Sequence, residues 1–248
     1  TDLGKNSFYN SIIRKKKKFK YYKDLIKIII KLQNIKLHRN YYLGKLKINF
    51  QDYSIKYLHK ESDLFFDWYL KYCFKTSKLK KIKNILKKEL TKVYKKLYFQ
   101  NNTFVHRDFH ASNIMVNKNK LGLIDSQDAI IGNPLYDVAS LIDDVRIKLP
   151  SNLKEKLFNF YYNKSKLKKE EYKNLKNDFD ILSVQRNLKI LGIFVRLSKR
   201  DGKPNYLKYL PYTWSLIERR LKNPVLKNLN LLFKKHLKIQ KLKKINNL

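Results

Sequence analysis

The chain has 248 residues, 43% hydrophobic and 14% aromatic, which is enough for a sizeable core and too apolar for a disordered chain. No run approaches the roughly 20 apolar residues of a membrane span, and the single cysteine, Cys73, excludes an internal disulfide and fits a reducing, cytoplasmic setting. A net charge of +37 raises nucleic-acid binding, but the lysines are scattered. Lys78, Lys80, Lys81, Lys83, Lys87 and Lys88 read as the outer face of a helix, and only Lys15 to Lys18 form a dense run. Residues with A/T-rich codons (Lys, Asn, Ile, Tyr, Phe) abound while Ala, Gly and Pro are scarce, so drift of genome composition accounts for the charge better than a nucleic-acid partner does. The sequence opens Thr1-Asp2-Leu3-Gly4, with neither an initiating Met nor a signal peptide, and on that ground is expected to be a fragment or an excised domain.

In chain order, Leu25, Ile28, Ile29 and Leu32 follow the i, i+3, i+4, i+7 spacing of a buried helical stripe. Phe65, Trp68, Tyr69 and Tyr72 repeat it, as do Ile82, Leu86, Leu90, Val93 and Leu97. Further helices are predicted over Leu135 to Ile147, Leu153 to Tyr162, Ile181 to Leu197, Tyr212 to Leu221 and Leu226 to Leu237, with a basic tail, 238–248, that frays. Between them, Phe104-Val105 is short and apolar. Ile114-Met115-Val116 and Leu121-Gly122-Leu123-Ile124 flank the polar link Asn117-Lys118-Asn119-Lys120, which reads as a β-hairpin. No β-rich region precedes the helices. The expected organisation is 1–100 helical, 101–147 catalytic loop, hairpin and metal site, 148–237 a helical substrate-side subdomain, and 238–248 the tail.

Polar residues crowd both open ends of the hairpin. Before it comes His106-Arg107-Asp108-Phe109-His110-Ala111-Ser112-Asn113, and after it Asp125-Ser126-Gln127-Asp128. Antiparallel partners lie about 5 Å apart, so Asn113 and Asp125 are expected to face each other with Asp108 one short loop away. Phosphoryl transfer needs this set. Mg²⁺ takes oxygen ligands and keeps several waters, so one carboxylate and one amide oxygen suffice. A second carboxylate must accept the proton of the attacking hydroxyl. The Asp that follows His-Arg and precedes an Asn by five residues has the spacing of a kinase catalytic loop. His106 and His110 lack the Glu and the third ligand that a zinc site would need.

Val105 to Asn113, then Leu123-Ile124-Asp125, then Gly132-Asn133-Pro134-Leu135-Tyr136-Asp137 resemble the aminoglycoside-phosphotransferase and choline-kinase superfamily. Asp125-Ser126-Gln127-Asp128-Ala129, Asp137 to Leu141, Gln185 to Phe194 leading into Arg200-Asp201-Gly202-Lys203, and Glu61, Leu64-Phe65 and Asp67-Trp68-Tyr69 are similar to the anomeric N-acetylmuramate/N-acetylglucosamine kinases within it. Ser126 stands where those kinases usually have Phe, and Asn187 where they usually have His. The resemblance runs from Gly4 to about Asn228. It implies a mostly helical α+β fold, a protein-kinase-like C-terminal lobe with a small β-hairpin carrying the catalytic loop. It also implies an ATP- and Mg²⁺-dependent phosphotransferase acting on an amino sugar in cell-wall recycling.

On that reading Asp108 is the catalytic base, Asn113 and Asp125 hold the metal, and His106 and Asp137 support the loop. Arg186, Gln185, Asp128 and Trp68 are candidates for the substrate pocket, where Arg186 could meet a lactyl carboxylate bidentately. Gln185 and Arg186 could equally be a helix's solvent face, and Trp68 part of the core. The glycines never cluster into a phosphate-covering loop, no lysine stands in an N-terminal β-lobe, and Thr1 to Phe8 resembles the chain just past an inter-lobe hinge. These residues alone are therefore expected to bind ATP poorly and turn over little. The alternatives are a kinase of aminoglycosides or choline, whose cationic substrates need an acidic pocket, and a basic nucleic-acid-binding module.

Overall fold

The computed structural model describes residues 5–37, 40–43, 46–117, 120–165 and 167–237. Thr1 to Gly4, the link residues Lys118 and Asn119, and the basic tail 238–248 lie outside them. The chain divides into two compact units, each assembled from two stretches of sequence: Thr1–Tyr53 with Phe99–Leu175, and Ser54–Tyr98 with Lys176–Leu248. In chain order the first stretch contributes α1 (Phe8–Ile12), α2 (Lys18–Gln33), β1 (Asn40–Leu43) and β2 (Leu46–Asn49). The second unit begins with α3 (Ile55–Leu64) and α4 (Thr76–Tyr94). The chain then returns to the first unit for β3 (Thr103–Val105), β4 (Ile114–Asn117), β5 (Lys120–Leu123), β6 (Ile130–Gly132), α5 (Leu135–Ile142) and α6 (Ser151–Lys164). It closes with α7 (Tyr172–Lys199), α8 (Leu210–Arg220) and α9 (Lys227–Leu237). Among the described residues no helix is long and apolar enough to cross a membrane.

In the first unit, α2 buries Tyr22, Leu25, Ile26 and Ile29, a stripe of helical period, against α5 and α6. Gln33 fastens the three helices, donating to the Pro134 carbonyl at 2.7 Å and accepting from the Tyr161 hydroxyl at 3.0 Å. The hairpin pairs β4 with β5 in the register Ile114↔Leu123 and Asn117↔Lys120, so both ends of the expected four-residue link belong to strands. The residues before α1 extend it, since the Val116 N–H donates to the Asn6 carbonyl at 2.8 Å. Two pairings were not legible in the spacing: β1 with β2, and β3 with β6 in the register Thr103↔Gly132. Tyr53 joins the latter pair through its N–H to the Ile131 carbonyl at 2.8 Å.

In the second unit, α4 buries Ile82, Leu86, Leu90 and Val93 and exposes Lys78, Lys80, Lys81 and Lys88, as the spacing predicts. The helical run expected through Phe65 to Tyr72 is less regular. α3 widens into a π turn at Phe65–Tyr69 and tightens into a 3₁₀ turn at Leu70–Tyr72. Phe65, Tyr69, Trp214 and Phe233 form an aromatic core in which the Trp214 indole donates to the Tyr69 hydroxyl at 2.8 Å. α7 is the central helix, buried on nearly every face from Phe179 to Val195. It passes so close to the end of α3 that a Cβ on Gly192 would stand 2.2 Å from the Leu64 carbonyl carbon. Gln185 lies inside this unit, donating to Glu61 Oε2 at 3.0 Å and to the Leu58 carbonyl at 3.3 Å. Lys189 holds the other oxygen of Glu61 at 2.9 Å.

Candidate active site

The first unit gathers the catalytic-loop sequence between β3 and β4 and closes it on the far end of the hairpin. The Ile124 N–H donates to the Asn113 carbonyl at 3.1 Å, extending the ladder by one residue. Asn113 therefore stands opposite Ile124, and Asp125 one residue beyond, which shifts the facing pair inferred from the sequence by one. The register of the hairpin sets this, since Ile114 opposite Leu123 and Asn117 opposite Lys120 put residue 113 opposite 124. Asp125 then leaves the strand in the left-handed region at φ 62°, ψ 40°.

The loop is shaped mostly from outside itself. Buried Asp137, on the first turn of α5, accepts from the His106 N–H at 2.7 Å and the Arg107 N–H at 3.0 Å. Asp144, just past the same helix and also buried, accepts from the Ala111 N–H at 3.2 Å and the Arg146 N–H at 3.0 Å. Two acids at either end of α5 thus fix the backbone before and after Asp108. Asp144 escaped the sequence reading. The signal was the pair Asp143-Asp144 at the end of an apolar run, where an acid must find a partner to be buried.

Inside the loop, the Asp108 carbonyl accepts from the His110 N–H at 2.9 Å and from Asn113 Nδ2 at 3.2 Å. The second bond ties Asp108 to Asn113 and leaves the Asn113 Oδ1 as the amide's outward acceptor. Among the described residues nothing hydrogen-bonds to that oxygen or to the Asp125 carboxylate. Both are hard oxygen donors of the kind Mg²⁺ takes, so the set fits the implied metal.

His106 lies fully buried beneath the loop, one ring nitrogen bonded to the Ile124 carbonyl at 2.9 Å. Burial holds its pKa below the ordinary value, and outweighs the opposing pull of the Ile124 carbonyl and the Asp108 and Asp125 carboxylates. The neutral ring therefore donates from Nε2, and both carboxylates bear on one imidazole. Among the described residues, Arg107 and Asp125 are the non-glycine positions with positive φ, a strain that collects where surrounding structure over-determines the backbone. The Arg107 guanidinium donates to the Asp128 carbonyl at 3.1 Å, linking the loop to the turn after the hairpin.

The structure thus brings Asp108, Asn113, Asp125, His106 and Asp137 together in the first unit. Asp128 lies beside them, its side chain exposed. Trp68, Gln185 and Arg186 belong to the second unit. Trp68 is half-buried in the π turn, and Gln185 and Arg186 are buried in α7 rather than on a solvent face.

The sequence matches the phosphotransferase enzyme family, APH, over residues 15–170. It is 32% identical over 177 residues to the N-acetylmuramate/N-acetylglucosamine kinase of Pseudomonas aeruginosa, covering 67% of this chain and 50% of that protein. It is 27% identical over 222 residues to the same-named kinase of Neisseria meningitidis serogroup B, covering 88% of this chain and 65% of that protein. The chain therefore spans about half to two-thirds of the length of these relatives. Among solved structures, a choline/ethanolamine kinase family protein from Mesorhizobium loti superposes with a TM-score of 0.54 at 14% identity, covering 88% of this chain and 68% of that one. The mostly helical α+β fold of a protein-kinase-like C-terminal lobe is borne out by that likeness. With a family match over well more than half its length, and a catalytic loop and hairpin of the expected kind, the chain belongs to the APH phosphotransferase enzyme family.

Proposed function

We propose that this chain carries the catalytic centre of an ATP-dependent kinase that phosphorylates a hydroxyl of a small amino sugar. The acceptor is N-acetylmuramate or N-acetylglucosamine, the sugars in the names of the relatives, and the resemblance noted in the sequence points to the anomeric hydroxyl and to a place in cell-wall recycling. The observation that supports the reading is the gathering of Asp108, Asn113 and Asp125 on one backbone-clamped loop and the hairpin end it joins, with Asn113 Nδ2 donating to the Asp108 carbonyl and the Ile124 N–H to the Asn113 carbonyl.

Asp108 takes the proton of the acceptor hydroxyl and aims its oxygen at the γ-phosphate. Asn113 Oδ1 and the Asp125 carboxylate would hold Mg²⁺, which when bound neutralises charge on the phosphate oxygens. Asp137 and Asp144 keep the base in place while it works, because phosphoryl transfer depends almost wholly on positioning and electrostatics. The test is phosphate transfer from γ-labelled ATP to each sugar by the full reading frame that contains these residues. Asp108→Asn keeps the size of the side chain and cannot accept the proton. It should lower kcat by about 100-fold or more with little change in the KM for sugar, the signature of a group acting mainly in the transition state. Unchanged turnover in Asp108→Asn would remove Asp108 from the chemistry. Transfer to choline or an aminoglycoside but to neither sugar would replace the substrate.

A further inference from the structure

The lysines of this chain are scattered except at one place. Arg14-Lys15-Lys16-Lys17-Lys18 put five consecutive cations in the corner between α1 and α2, and Lys20 and Lys23 follow. Arg14 to Lys17 and Lys20 are exposed. No acid stands between residues 5 and 23, and Asp24 is taken by Lys27 at 2.9 Å. Among the described residues none of the five consecutive cations forms an ion pair. Drift of composition supplies lysine where a solvated position tolerates it, but this position disfavours it. Lys17 is the N-cap of α2 and Lys18 its first residue, no side chain caps the helix, and its first turn holds no acid. A helix N-terminus carries partial positive charge, so cations there are repelled rather than held.

The corner is tied in place by its own backbone. The Ile13 N–H donates to the Tyr9 carbonyl at 3.1 Å, the Lys15 N–H to the Ile12 carbonyl at 3.0 Å and the Lys18 N–H to the Lys16 carbonyl at 3.1 Å. Beneath it, Phe8 of α1 and Tyr22 of α2 are buried edge to face, their ring centroids 5.6 Å apart. At each end of the run an apolar side chain is left in solvent. Ile13 is 44% exposed and Tyr21 39%. Tyr21 follows Lys17 by four positions and Lys18 by three, which places it on their face of the helix. α1 also packs against the Ala111–Asn113 turn, so the corner follows directly on a helix that touches the catalytic loop.

We propose that the corner from Ile13 to Tyr21 is a docking surface for an anionic membrane, on which the cations meet lipid headgroups while Ile13 and Tyr21 enter the boundary between headgroups and acyl chains. The proposal is independent of the kinase reading. Basic residues draw a protein to such a surface and apolar insertion holds it there, and stable anchoring takes both signals. Two features favour a lipid surface over a nucleic acid. Four of the five cations are Lys, point charges suited to a diffuse field, rather than Arg, whose fork reads phosphate bidentately. Ile13 has no ring on which a base could stack, but its side chain suits an acyl boundary.

The test is flotation of the 248-residue chain with vesicles of phosphatidylcholine, either alone or with about 30% phosphatidylglycerol. Wild type should float with the anionic vesicles and not with the neutral ones, and should be released as NaCl rises from about 0.05 to 0.5 M. Each cation near an anionic surface contributes about five-fold in partition. Lys15→Ser, Lys16→Ser, Lys17→Ser and Lys18→Ser together should therefore weaken binding by about 100-fold or more. Ser at the N-cap position supplies the missing cap, so the melting midpoint of this variant should stay level or rise. Lys81→Ser, Lys88→Ser, Lys92→Ser and Lys95→Ser together remove as much exposed charge along α4 and at its end, and should weaken binding by less than about five-fold. Ile13→Ser should weaken it about 3–10-fold. Equal losses from the two quadruple variants would mean that net charge alone binds, and would overturn the proposal. So would flotation with neither vesicle, binding that survives about 0.5 M salt, or an Ile13→Ser chain that binds as wild type does. A single-stranded RNA bound more tightly than the anionic vesicles, and lost with the same four lysines, would overturn it in favour of a nucleic-acid partner.

Discussion

Removing the Asp137 carboxylate should release the catalytic loop at its first two residues. The side chain is buried, and its oxygens accept from the His106 and Arg107 N–H groups at 2.7 and 3.0 Å. A hydrogen bond to a charged acceptor contributes about 1.5–3 kcal/mol, so Asp137→Ala should lose about 3–6 kcal/mol. That is a large part of the roughly 5–15 kcal/mol that separates a folded domain from its unfolded chain. Asp137→Asn keeps the volume and one acceptor but turns an NH₂ toward the second N–H, so about half that loss is expected. Urea unfolding reads the difference. With m near 3 kcal/mol/M, the Ala variant's midpoint should fall by about 1–2 M at unchanged m. Hydrogen exchange supplies the local readout, since the His106 and Arg107 amides should lose protection in Asn before the α2 amides do. An Ala variant within about 1 kcal/mol of wild type, or protected amides at 106 and 107 in both variants, would refute the clamp.

Gly192→Ala opposes two effects of known size. Helix propensity favours Ala by about 1 kcal/mol, but the new Cβ would stand 2.2 Å from the Leu64 carbonyl carbon and oxygen and 2.7 Å from Phe65 N. Backbone atoms cannot rotate away, and overpacking costs about 1–3 kcal/mol or more, so the clash should win and the melting midpoint should drop; a rise would mean that α7 does not pass α3 this closely. Stability should also fall on mild acidification. Burial lowers the pKa of both His59 and His106 from 6.5, so near that pH the unfolded chain binds more protons than the folded one. Their contribution is complete above pH 6.5 and is lost as pH falls toward the lowered folded values. Urea midpoints should therefore decline between about pH 7 and pH 5.5, less steeply in His106→Gln, and a midpoint that rises over that range would contradict the sign.

The helices with one apolar stripe were legible because an amphipathic surface repeats at 3.6 residues, as in α2 and α4. Two longer readings erred at their ends for physical reasons. α7 starts at Tyr172, nine residues before the apolar run that marks it, because its first turns are polar and are held by contacts such as Lys176 with Asp180 at i+4. α5 stops at Ile142 rather than Ile147 because Asp143 turns out of the helix to meet Lys154. β6 has three residues, too few to show an alternation, and its existence depends on partners in β3 and at Tyr53 that lie far away in sequence. The site was legible to the extent that it is local. Asp108, Asn113 and Asp125 share one loop and one hairpin, while Asp144 acts on Ala111 across 33 positions. The one-residue shift at Asp125 follows from the register of the hairpin, in which Asn117 pairs with Lys120, and the left-handed backbone at Asp125 is one that an Asp tolerates but does not announce.

The shape of residues 106–113 is written largely on α5. Asp137 and Asp144 grip backbone N–H groups, which every residue type except proline offers, and so they are indifferent to the side chains they hold. The grip itself is therefore blind to side-chain chemistry, and what ties Arg107 further is its own guanidinium on the Asp128 carbonyl. The converse binds an engineer. An octapeptide lifted from this chain into another scaffold would arrive without its mould, and α5 with both of its terminal acids would have to travel with it.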